Sequence, residues 1–225
     1  MRKVLFGTPT YDGRVHVEFL QSLMHTVKLA PHAEIALYPV QISGDALVQR
    51  ARNDLFAMAM ETECDDIVFM DSDQEWNAEW VMTLLNHPAD VVGGVVVKKS
   101  DTPGFNVKIL PNGVSLDENG LMEVECIGTG FLRISRRAMQ AVWDISPEYK
   151  DGDKVSRMVF DIQIIDGELI SEDNVFCRKW RGLGEKVYID PTITLNHIGS
   201  RKWGGNFLAY LDAISDVQPE LQSGA

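Results

Sequence analysis

The chain has 225 residues, enough for one domain with a substantial core and too few for two full-sized ones. A hydrophobic share of 45% and a charged share of 24% are ordinary globular composition and exclude a disordered chain. The formal net charge of −12 disfavours broad electrostatic binding to nucleic acid, because such a surface repels phosphate.

The first strand is expected at Val4-Leu5-Phe6, ending at Gly7-Thr8-Pro9-Thr10. Those early breakers come too soon for a signal peptide, and no apolar run reaches membrane-span length. A helix from about Val15 to Leu29 and a strand from Glu34 to Val40 follow. Ser43-Gly44-Asp45 is a capping signal for the next helix. In that helix Leu47, Ala51, Leu55, Met58 and Ala59 share the core face, and Gln49, Arg52 and Asn53 take the other flank. Ile67-Val68-Phe69-Met70 is continuously apolar, as a strand covered on both faces must be, and it ends in Asp71-Ser72-Asp73. A helix over about Ala78 to Leu85 and a buried strand over Val91 to Val97 complete an alternating α/β half.

Beyond Lys99 the character changes. Pro103-Gly104 and Pro111-Asn112-Gly113 are turn signals. Strands are expected over Glu123–Ile127 and Phe131–Ile134, around Gly128-Thr129-Gly130, with Ser135 capping a helix to about Trp143. Ser146 to Arg157 is polar and expected to be a mobile loop. Phe160 to Ile170 is expected to form a hairpin turning at Asp166-Gly167. Ser171 starts a helix to about Arg181, and a last strand over Lys186–Ile189 leads on to His197. The cysteines Cys64, Cys126 and Cys177 have no metal spacing and suit a reducing, cytoplasmic compartment.

Four features can carry chemistry. Asp71 and Asp73 follow a buried strand, where ligands of open α/β sheets bind, and two carboxylates there can hold a hard divalent cation. The bland alternative is a solvated acidic turn. Glu172 and Asp173 begin a helix, whose dipole keeps carboxylates ionised as a general base requires; acidic first turns are also routine stabilisers. His197 could complete a metal shell or be structural. Gly128-Thr129-Gly130 allows close backbone approach, or simply a tight turn. Of the tryptophans, Trp80 and Trp143 are expected in the core, whereas Trp203 sits in a polar loop where it could stack on a ligand.

Taken in order, these pieces resemble GT-A-fold glycosyltransferases, broadly the family 2 group, with compact viral or phage members among the forms it resembles. The resemblance implies a single α/β domain over residues 1–205, with a nucleotide-sugar half to about residue 100, an acceptor half after it and a tail or helix over 206–225. It implies that Thr8, Pro9, Thr10 and Tyr11, with Arg52 and Asn53, seat the nucleotide alongside Asp71, Ser72 and Asp73. Asp71, Asp73 and His197 would hold Mn²⁺ or Mg²⁺, and Gly128, Thr129, Gly130, Phe131 and Trp203 would meet the acceptor. Asp173 would be the base, with Glu172 as second choice. The implied reaction is inverting transfer from a UDP-linked sugar to a hydroxyl of a saccharide, protein, small molecule or hydroxymethylated DNA base. Three other readings compete: a non-catalytic nucleotide-sugar or carbohydrate-binding module, a haloacid-dehalogenase-type phosphatase, and a purely structural protein. The phosphatase is disfavoured by Gln74, where a Thr or Val normally follows.

Overall fold

The computed structural model describes residues 1–222 except Pro103 and Asn112, with side chains to residue 214. The turn signals at those two positions lie outside the described residues. The main sheet contains β1 (Arg2–Thr10), β2 (Ile35–Ser43), β3 (Asp66–Met70), β4 (Val91–Gly93), β5 (Val107–Ile109), β6 (Met122–Ile127), β7 (Phe131–Ser135) and β8 (Val187–Ile189). Their spatial order is β2-β1-β3-β7-β4-β8-β6-β5. β1 is parallel to both β2 and β3, whereas β7 is antiparallel to β3 and β4.

The helices are α1 (Val17–Leu29), α2 (Val48–Glu61), α3 (Ala78–Asn86), α4 (Arg136–Ile145), α5 (Glu172–Gly182) and α6 (Phe207–Gln222). None is long and apolar enough to cross a membrane among the described residues. They cover both faces of the sheet, which explains the unbroken apolar run of β3. Ile67 and Phe69 pack with Leu55, Phe56 and Phe176 on one face. Val68 and Met70 pack with Phe19, Trp76 and Val81 on the other. Phe207 and Leu211 of α6 join the first cluster, and Phe207 meets Phe105 at 5.1 Å between ring centroids.

At the start of β3, Asp66 is buried between two guanidinium groups. Arg2 reaches it at 2.5 and 2.9 Å, and Arg133 at 2.6 Å. A buried carboxylate needs such partners, and this one ties β1, β3 and β7 together at the end opposite the acidic turn.

Several local expectations change. Ser43-Gly44-Asp45 does not cap α2. The N-cap is Leu47, and Asp45 instead accepts from the Leu47 N–H and pairs with Arg50. Residues 146–157 contain a hairpin, Glu148–Asp151 with Lys154–Arg157, where a loop was expected. The hairpin at Asp166-Gly167 forms as expected, with both turn residues at positive φ. Past β8, a three-stranded sheet joins Gln74–Glu75, Asn196–Ile198 and Lys202–Gly204, so the segment around Trp203 is a strand rather than a loop. Trp143 stacks on Phe56 and Trp80 packs against the second cluster, both only partly buried, while Trp76 and Trp180 are the deeper tryptophans.

Candidate active site

Parallel pairing brings the C-terminal ends of β1 and β3 to one rim of the sheet. A cleft of about 280 Å³ opens there, lined by Pro9, Thr10, Tyr11, Arg52, Asp71, Ser72, Asp73 and His197, with Asp45 and the start of α2 along one side. His197 is far away in sequence. It reaches the cleft because it pairs with Gln74 in the small sheet, while the Ile198 N–H donates to the Asp73 carbonyl at 2.7 Å.

Asp73 is the most heavily partnered acid of the turn. Lys99 donates to its Oδ2 at 2.6 Å, and His197 Nε2 lies 3.3 Å from the same oxygen. Burial raises its pKa, but the bonds from His197 and Lys99 outweigh burial and hold the carboxyl at about 2. The other ring nitrogen of His197, Nδ1, lies 2.8 Å from the Val97 carbonyl. A carbonyl can only accept, so Nδ1 carries hydrogen, and Nε2 donates to Asp73 when the ring is charged and presents a lone pair when it is neutral. In the neutral form two acceptors face each other, and a cation between them would satisfy both. Asp73 and His197 therefore fit as two donors for a divalent metal, with Lys99 competing for the same oxygen. Asp71 does not join them. Its Oδ1 accepts from Arg52 at 2.9 Å, and no group of three His, Cys, Asp or Glu side chains able to hold a metal gathers among the described residues.

Arg52, expected on the flank of α2 away from the core face, is 6% exposed. One of its terminal nitrogens pairs with Asp71 and the other with Glu172 at the start of α5. Glu172 is thus a buried counter-ion to Arg52. Asp173 faces a neighbouring cavity of about 130 Å³ with Asn106, Lys98, Gly128 and Asn174. Its Oδ1 accepts from the Ser171 hydroxyl and from the Asn174 N–H at 2.8 Å.

The glycine segment lies between these two acids. Asp71 N–H donates to the Gly130 carbonyl at 3.3 Å, and a Cβ on Gly130 would come within 3.0 Å of Asp71 Oδ2. A Cβ on Gly128 would lie 3.5 Å from Asp173 Oδ2 and clash with Asn106 at 2.9 Å. Only glycine lets the backbone pass so close to both. Among buried polar atoms without a partner, Arg52 Nε belongs to a residue that lines the cleft, Thr8 Oγ1 and Gln74 Oε1 to residues adjoining the lining residues Pro9 and Asp73, and Thr129 Oγ1 to the glycine segment. Such atoms are uncommon in a folded interior and are usual where a ligand completes the bonding.

Two expected site residues are elsewhere. Asn53 is fully buried and does not line the cleft. Its side-chain amide clamps the Phe160 backbone, donating to the carbonyl at 2.9 Å and accepting from the N–H at 2.8 Å. Phe131 is fully buried in the second apolar cluster, so its ring cannot meet an acceptor. Trp203 lies directly opposite His197 in the small sheet, with the Arg201 guanidinium 5.0 Å above its ring and a buried indole nitrogen that has no partner. The sequence reading missed Lys99, Asn106 and the Val97 carbonyl. Two consecutive lysines directly after a buried strand were the available signal for the first.

A scan against protein-family models finds no match, and a search of curated proteins finds none. Among solved structures the chain is similar to the A197 protein from STIV, at 20% identity over 88% of this chain and 86% of that one, with a TM-score of 0.56. It is also similar to a Drosophila β-1,4-galactosyltransferase 7 in complex with manganese, UDP-Gal and xylobiose, at 17% identity over 88% and 71% of the two chains, with a TM-score of 0.52. Parallel β2-β1-β3, an acidic turn after β3, an antiparallel β7 entered through glycines and this likeness together identify the architecture as the GT-A fold of glycosyltransferases.

Proposed function

We propose that the chain is a glycosyltransferase that moves a sugar from a UDP-linked donor to a hydroxyl acceptor, with inversion, using Mn²⁺ or Mg²⁺. The observation that carries this reading is the convergence of the β1 end, Arg52, the acidic turn and His197 on one cleft. Manganese and UDP-Gal in the similar galactosyltransferase support the choice of donor and metal.

In this reading Pro9, Thr10 and Tyr11 border the nucleotide, and Asp73 with His197 holds the cation. A bound divalent cation would offset the charge that builds on the leaving diphosphate. Arg52 keeps Asp71 in place, on the nucleotide side of the cleft. Asp173 takes the proton of the acceptor hydroxyl on Oδ2, since Oδ1 is already occupied by Ser171 and Asn174. Commitment of Glu172 to Arg52 leaves it a positioning role rather than the second-choice base. Free buried thiols at Cys64, Cys126 and Cys177 support a cytoplasmic setting.

The test is UDP binding by calorimetry with and without Mn²⁺. Asp73→Ala is expected to weaken metal-dependent UDP binding by about tenfold or more, equivalent to at least 1.4 kcal/mol. Unchanged affinity in that variant would remove the cleft from the donor role.

A further inference from the structure

Residues directly opposite each other in an antiparallel sheet share a face, and neighbours along a strand alternate. The small sheet therefore has two distinct sides. Gln74, His197 and Trp203 are in register on the side of the acidic turn. Glu75, Asn196 and Lys202 belong to the opposite side, and there they border a second cavity of about 440 Å³, larger than the candidate donor cleft. Helix α1 forms the facing wall with Glu18, Gln21 and His25, which recur at helical spacing. Asn77 and Trp80, at the start of α3, close the end.

The floor is rigidly built. Trp76 donates from its indole to Thr26 Oγ1 at 2.9 Å and from its backbone to Ser22 Oγ at 3.1 Å. Glu75 is fixed by Asn196 at 2.7 Å and by Lys202 at 2.7 and 2.9 Å. The lining chemistry restricts what can enter. Two carboxylates against a single lysine repel a phosphate or another anion. An apolar ligand would strand the amides of Gln21 and Asn77 away from water. A neutral polyol meets neither objection. Its hydroxyls donate to carboxylates and accept from amides, and the C–H face of a pyranose ring lies against the half-buried Trp80 indole.

We propose that this cavity is a second binding site, for a neutral saccharide, back to back with the acidic-turn cleft across the small sheet. It does not depend on the transferase reading, because binding here needs neither donor nor turnover.

The test is saturation-transfer NMR on the full chain with maltose, lactose, cellobiose and xylobiose as probes, in the presence of excess UDP. At least one probe is expected to bind, with affinity reduced about tenfold or more by Trp80→Ala and by the paired change Gln21→Ala with His25→Ala, and unchanged in Asp73→Ala. Gln21 and His25 are exposed on α1, so their replacement leaves the core intact even if Trp80→Ala does not fold. Failure of all four probes to bind would overturn the proposal. So would binding that the Gln21 and His25 changes leave untouched, or that Asp73→Ala removes. Loss of the donor role at Asp73 alone would leave this site standing.

Discussion

Arg52 is the residue on which the candidate site turns, because one buried guanidinium serves two carboxylates from different parts of the chain. Asp71 comes from the turn after β3, and Glu172 from the first turn of α5. Glu172 and Asp173 are adjacent in sequence, yet their surroundings assign them different work. Glu172→Gln is expected to lower stability by about 1–3 kcal/mol in chemical denaturation, since it leaves Arg52 with half its compensation. Asp173→Asn is expected to stay within about 0.5 kcal/mol of wild type and to keep UDP affinity while losing sugar transfer. Full transfer by Asp173→Asn would end the base assignment, and equal stability losses in both variants would end the division of roles.

At the scale of elements, Asn53 joins α2 to the segment that enters the Asp166-Gly167 hairpin. Replacing it with Ala leaves both the N–H and the carbonyl of Phe160 buried and unpaired. Asn53→Ala should therefore cost about 2 kcal/mol or more in urea unfolding, and a loss under about 0.5 kcal/mol would show that the clamp is dispensable. The same residue marks the limit of sequence reading. Periodicity identified Ala51, Leu55 and Ala59 on the core face of α2, but it also put Leu47 there, which is the exposed N-cap, and it assigned Arg52 and Asn53 to the other flank, because hydrophobicity does not register polar groups whose bonds are satisfied inside. β3 and its acidic turn were legible, since a continuous apolar run followed by carboxylates is a local pattern. Asp166-Gly167 was legible too, as its positive φ values suit that residue pair. The small sheet was not legible. Its strands are two or three residues long, and the pairing of His197 with Gln74 is a long-range event with no local signature. Nor was the 148–157 hairpin, whose polar residues do not alternate clearly with apolar ones.

For the whole molecule, acid is the informative perturbant. Burial raises the carboxyls of Asp90, Asp190 and Glu123, but ion pairs and hydrogen bonds from Arg137, from His87 and Thr192, and from Lys186 and Arg181 respectively outweigh burial and lower all three. Their folded-state pKa values therefore lie below the unfolded ones. The stability they contribute is complete above about pH 5 and is lost as pH falls through the lower folded values. The melting temperature should accordingly drop as pH is taken from about 4 toward 2, and Asp190→Asn should flatten part of that slope. A melting temperature independent of pH over this range would mean that these pairs do not form in solution.

The pairing of β3 with β7 has a consequence for how the chain is made. On a ribosome, β1, β2 and β3 emerge long before residues 131–135, so the free edge of β3, apolar on both faces, waits for a strand not yet synthesised. β4 cannot shield that edge, because it enters the sheet only through β7 and β8. The early, parallel part of the fold is thus a nascent template with an open side, and nascent chains halted before β7 are natural clients for chaperones that cover unpaired strands.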